Sequence, residues 1–153
     1  MRFLLAAIII LLLSKCLSQP DCLVTATNNV KISLKMAESD SVNTVTFVVI
    51  RVSGTDSVFY KNKKTSTLKL PVSPRVLQTT FTLQYYPKGD TVNSKTDSVK
   101  LTYVKQYFVV SPECGGYAYF SNLSVLSSSF VREPKVVNSQ LSTGATTNLE
   151  IKL

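Results

Sequence analysis

Histidine is absent from the chain, and that absence removes much of the usual chemistry of a site. Serine–histidine and cysteine–histidine nucleophiles and histidine-ligated zinc are excluded. A carboxylate pair or a serine–lysine arrangement is what remains for catalysis, and the nine acidic residues are scattered without a telling spacing. No catalytic residue, metal ligand or cofactor is therefore expected. Apolar runs are equally scarce. Residues 3–13 form one, which is too short for a membrane-spanning helix of about 20 residues, and no later stretch is longer. Windows with helical periodicity are missing as well.

What the first residues do contain reads as a secretion signal: Arg2, the apolar run, then polar Ser14 and Lys15. Two processing routes compete. Ordinary cleavage, with Cys16 and Ser18 as the small residues before the cut, gives a signal of residues 1–18. Lipoprotein processing gives a signal of residues 1–15 and acylates Cys16. Cysteine is rare, with three in the chain. Either route disposes of Cys16, so Cys22 and Cys114 remain for one disulfide in an oxidising compartment. The alternative is two buried free thiols. Closing a loop of that size would stabilise by roughly 4.5 kcal/mol on the chain-entropy account.

Residues 19–153 are enough for one core and one domain. Without Arg2 and Lys15, fifteen basic residues face nine acidic ones, a net +6. That balance suits anionic glycan or lipid surfaces, although dispersed lysines need no partner.

Period-two alternation dominates. Val30, Ile32, Leu34 and Met36 alternate with polar residues. Residues 45–52 are nearly all apolar and predict a central strand covered on both faces. Residues 58–60 and 68–70 flank the polar 61–66 and predict a hairpin, closed by Pro71 and Pro74. Residues 79–85 resume the alternation, 87–97 form a polar connection, and 99–110 a long strand. A corner at 112–116, a strand over 117–126 and a last strand at 149–153 complete the chain. The fold class is all-β: a single β-sandwich, immunoglobulin-like or related, of 7–9 strands with one disulfide. Val30, Ile32, Leu34, Phe47, Val49, Phe81, Leu83, Leu101 and Tyr103 are the expected core.

Three polar motifs stand out. Asp40-Ser41-Val42, Asp56-Ser57-Val58, Asp90-Thr91-Val92 and Asp97-Ser98-Val99 share one form; Asp and Ser favour turns, and Val then opens a strand. Lys61-Asn62-Lys63-Lys64 reads as the wet tip of the hairpin, where like charges oppose edge association; its other reading is a footing on lipid head groups or glycans. Aromatics are not interleaved with it as a nucleic-acid surface needs, so no nucleic acid is expected. Asn122-Leu123-Ser124 matches an N-glycosylation acceptor but falls within a strand and carries no weight.

The spacing of Cys16 and Cys22, the strand opening from Asp97 to Tyr103, and Glu113-Cys114-Gly115 before an aromatic strand resemble an uncharacterised family of small Bacteroidetes-type cell-envelope (lipo)proteins. The resemblance implies acylation at Cys16 and a Cys22–Cys114 pair. It also leads one to expect an aromatic or aliphatic residue where Gly116 stands. Envelope proteins of that group are O-glycosylated on such Asp-hydroxyl-apolar triplets, which makes Ser41, Ser57, Thr91 and Ser98 candidate acceptors. Together these readings predict a non-enzymatic structural or binding accessory in the periplasm or on the outer membrane, touching the membrane only through a lipid anchor, with an envelope protein or an anionic glycan or lipid surface as its partner. The rivals are a hydrolase with a carboxylate or serine–lysine site, and a fimbrial subunit using the C-terminal strand.

Overall fold

The computed structural model describes residues 25–55, 57–87, 90–112 and 114–153. Among them are nine strands and no helix: β1 (Asn29–Lys35), β2 (Val45–Val52), β3 (Val58–Thr65), β4 (Thr67–Pro71), β5 (Gln78–Tyr86), β6 (Lys95–Ser111), β7 (Gly115–Ser128), β8 (Lys135–Val136) and β9 (Leu149–Lys152). They form two sheets, ordered β4-β1-β9-β8 and β3-β2-β5-β6-β7. All neighbours are antiparallel except β1 and β9, which run parallel, with Ile32 beside Leu149 and Leu34 beside Ile151.

One core cluster draws on both sheets, an arrangement that fits a sandwich. The four-stranded sheet contributes Val30, Ile32, Leu34, Leu68, Leu70, Leu149 and Ile151; the five-stranded sheet contributes Phe47, Ile50, Phe81, Leu83, Leu101, Tyr103 and Phe120 among others. Alternation explains why: each strand sends every second side chain inward.

Eight of the nine expected core residues are buried, and Val49 is only half-buried. The pairing of β2 with β5 slips between Phe47 and Val49. The extra residue of this bulge shifts the inward phase by one, so Ile50 takes the core place. The same strand is covered fully on one face only, since Arg51 on the other is exposed.

The expected hairpin of residues 58–70 does not form. β3 pairs with β2, while β4 pairs with β1 in the other sheet. The chain therefore crosses between sheets at Ser66, and Lys61, Lys63 and Lys64 lie along an edge strand rather than at a loop tip. β6 begins at Lys95, inside the expected polar connection. Asp97 belongs in the strand because both its carboxylate oxygens are engaged there, by Tyr85 and Ser129. β9 lies between β1 and β8, so it is not a free strand able to add to a neighbouring subunit.

Tyr103 ties the last core turn of β6 to the loop after β4. Its hydroxyl donates toward the carbonyls of Ser73 (2.8 Å) and Val76 (3.0 Å) and meets Thr79 Oγ1 at 2.7 Å. Beyond this point β6 has no β5 neighbour, because the β5 pairing ends at Thr102.

Candidate functional site

Past Tyr103, β6 and β7 continue as a two-stranded arm, paired from Val104 with Ser121 to Ser111 with Gly115. Beyond Tyr103 and before Phe120 the arm contributes no buried core residue, and only Ala118 packs against the core's margin. Its side chains are nevertheless apolar. Tyr107 and Val109, in the phase that faces the core lower down, are 73% and 82% exposed, and Phe108 on the opposite face and Val110, at the irregularity between Val109 and Ser111, are about half exposed. Phe108 stacks on Tyr117 (centroids 6.0 Å, 26°) and meets Tyr119 edge-on (6.0 Å, 85°). Opposed residues in a ladder share a face, so these three rings form one aromatic surface.

At the base of the arm, Lys105 places its ammonium 5.0 Å from the Tyr107 ring and bonds the Pro74 carbonyl. That bond, with those from Tyr103 and Thr102 to Val76 and Leu77, fixes the loop over residues 73–77 beside the arm. Val76 and Leu77 are more than half exposed there, and Arg75 is exposed between them and Pro74. The arm thus exposes apolar residues with the Lys105 ammonium at its base. Sequence reading saw only a long strand here. The available signal was the loss of alternation at Tyr107-Phe108-Val109-Val110, which puts apolar groups on both faces of a strand with no second sheet to cover them.

Cys114, at the arm's tip, is disulfide-bonded; Cys22, its expected partner, and Cys16 lie outside the described residues, as does the whole signal. Gly116 departs from the aromatic or aliphatic residue expected there for a steric reason: a Cβ would stand 3.0 Å from the Phe108 carbonyl oxygen.

The hydroxyls of the four triplets divide. Ser41, Ser57 and Thr91 are exposed, in the loops before β2, β3 and β6. Asp90 builds a local turn, its Oδ1 accepting from the Val92 and Asn93 amides at 2.8 and 2.9 Å, and these bonds hold its carboxyl below the usual range, Asn93 foremost. Ser98 is not at a turn. It is half-buried within β6, with its amide donating to Ser129 Oγ. Asp56 lies outside the described residues.

Two cavities elsewhere on the molecule include charged side chains in their lining. One of about 420 Å³ is lined by Asp40, Glu133, Lys135, Glu150 and Lys152. In it Lys152 pairs with Asp40 at 3.0 Å, and Glu150 pairs with Lys35 at 3.8 Å. The hydrogen bond and charge of Lys152 hold the Asp40 carboxyl below its ordinary range. Another, of about 300 Å³, adjoins Tyr85, Lys95, Asp97 and Arg132. Burial, aided by Asp97, pushes the Tyr85 phenol well above its usual value. Along β3, Lys63 lies 5.1 Å from the Tyr60 ring, and Lys61, Lys63 and Lys64 make no ion pair among the described residues.

No curated protein and no solved structure matches the chain. Residues 44–153, from the start of β2 through the arm to β9, match a family of unknown function, DUF6452. The chain belongs to that family, and the matched span contains the whole arm.

Proposed function

We propose that this chain is a non-enzymatic binding accessory of a bacterial cell envelope, of the Bacteroidetes type, and that the β6–β7 arm is its contact surface. One observation carries the reading: an arm outside the core exposes Tyr107, Phe108, Val109 and Val110 together, and contiguous exposed apolar surface of this kind marks a binding site. Its residues are supported by stacked rings rather than by flexible chains, which keeps the surface preorganised.

Export is supported by Arg2 and the apolar residues 3–13, with Cys16 as the acylation candidate and Cys22 as the disulfide partner of Cys114. Ser41, Ser57 and Thr91 are the better O-glycosylation candidates, being exposed, and Ser98 the weaker one. An immunoglobulin-like or related sandwich is the finer fold reading, supported by nine strands divided between two sheets over one core.

A photo-crosslinking phenylalanine in place of Val109, in cells of the native host, tests the contact surface. A discrete adduct at this position, lost when Phe108→Ser disrupts the ring stack, is expected. Absence of any adduct at Val109 would overturn the reading. Intact mass of the mature protein reports cleavage, acylation and glycans together.

A further inference from the structure

We infer that the occupant of the arm is the interface of an anionic lipid bilayer, into which the arm seats shallowly with the 73–77 loop as its collar. The inference rests on the arm being the contact surface and names what it contacts.

The arm is apolar on both faces. Tyr107 and Val109 project to one side, Phe108, Tyr117 and Tyr119 to the other. A protein groove or a sugar takes one face of a β-ribbon and leaves the other in water, where polar residues would serve. Lipid surrounds an inserted ribbon on both sides, so both faces gain by being apolar.

The two strands of the ribbon are uncharged: no charged residue occurs from Gln106 to Pro112 or from Cys114 to Tyr119, and the one charged residue between them in the sequence is Glu113. Lys105 stands at the base of the arm and bonds the Pro74 carbonyl of the loop that carries exposed Arg75, Val76 and Leu77. A cation at that level would meet anionic head groups while the apolar residues pass beyond them, and the net charge of +6 that remains without Arg2 and Lys15 acts in the same direction. The tyrosines suit the boundary itself, with an apolar ring and a hydroxyl for the wet side.

Depth follows from the backbone. Residues 107–110 extend over roughly 13 Å, close to the 5–10 Å seating of interfacial elements. Among the described residues neither edge of the ribbon has a sheet neighbour here: β5 ends opposite Thr102, and the segment that bonds the outer side of β7 meets it at Phe120 and Leu123. Unpaired backbone groups are costly in hydrocarbon, so the arm is suited to the hydrated interface and not to spanning.

The chain has no tryptophan, which permits a single reporter. Full-length Val109→Trp is mixed with vesicles of phosphatidylcholine containing one-third phosphatidylglycerol and brominated acyl chains. Its emission should shift to shorter wavelength and be quenched by the bromines, while Val131→Trp, at a position 93% exposed just past the end of β7 that pairs with Val99 and not with the arm, should do neither. Tyr107→Ser with Val109→Ser should weaken vesicle partitioning at least about tenfold, or ~1.4 kcal/mol. These side chains lie outside the core, so folding is not at stake. An unquenched Val109→Trp, or partitioning unchanged in the double variant, would overturn the lipid assignment. The cellular crosslink separates the two readings: a lipid adduct at Val109 supports both, a glycan or protein adduct keeps the contact surface and removes the lipid, and no adduct removes both.

Discussion

The phenol of Tyr85 donates to Asp97 Oδ2 at 2.8 Å, from a side chain that is almost wholly buried between the two sheets. The other Asp97 oxygen accepts from Ser129 Oγ, also at 2.8 Å. A carboxylate inside a strand is thereby satisfied on both sides, which is what allows β6 to start before its apolar run begins.

Burial first, and then Asp97, raises the Tyr85 phenol above its ordinary value. Burial raises that of Tyr103 too. A raised acid contributes stability that is complete below the unfolded value, about pH 10 for tyrosine, and lost as pH climbs toward the folded one. Urea midpoints should therefore hold steady up to about pH 10 and fall above it. Tyr85→Phe should lower stability near neutrality by about 1 kcal/mol and flatten the alkaline fall. An unchanged alkaline slope in Tyr85→Phe would assign the effect elsewhere.

The bulge in β2 gives a sharper test of packing. Ile50 is fully buried and Val49 beside it is not. Ile50→Ala should cost about 2–5 kcal/mol, as a buried isoleucine does, and Val49→Ala clearly less. Phe47→Ala and Phe81→Ala should each cost about 3–5 kcal/mol. Equal losses at positions 49 and 50 in denaturant titrations would mean the bulge is misplaced.

The core was legible because alternation alone selects inward residues in Val30-Ile32-Leu34 and in Phe81-Leu83-Tyr85. Val49 escaped, since a bulge changes the count of residues per pleat without changing composition. The β3–β4 hairpin was misread because a local pattern of two short runs around lysines cannot say which partner each strand takes; those partners are β2 and β1, from elsewhere in the chain. The arm was hidden in the same way. Tyr107-Phe108-Val109-Val110 looks like any covered strand until the sheet order shows that, among the described residues, no second sheet lies over it.

On the acid side, Asp90 and Asp40 have carboxyls held low, by the Asn93 and Val92 amides and by Lys152 respectively. A lowered carboxyl stabilises above its unfolded value, near pH 4, and that help disappears as pH falls through the folded value. Asp90→Asn preserves an oxygen for both amides but cannot titrate. Stability of the Asp90→Asn, Asp40→Asn protein should thus fall less steeply than the native protein's below about pH 4. A native-like acid slope in the double variant would show that neither carboxylate matters there.

The tip of the arm depends on two glycines for different reasons. Gly115 has φ +67°, open space around it and a conformation that side chains avoid; Gly115→Ala should add about 1 kcal/mol of backbone strain. Gly116 has ordinary backbone but no room, its missing Cβ lying against the Phe108 carbonyl oxygen of the opposite strand. Gly116→Val should push β6 and β7 apart locally. Amide exchange at Tyr107, Phe108 and Ala118 should then accelerate by about tenfold or more, reflecting local opening of the ribbon. The urea midpoint should move little, because Tyr107 and Phe108 lie outside the core and Ala118 only packs against its margin. Gly144→Ala, with no atom within 4 Å and no positive φ, serves as the neutral comparison. If Gly116→Val leaves exchange in the arm unchanged, the two strands are not held at the separation described, and the preorganised aromatic surface loses its basis.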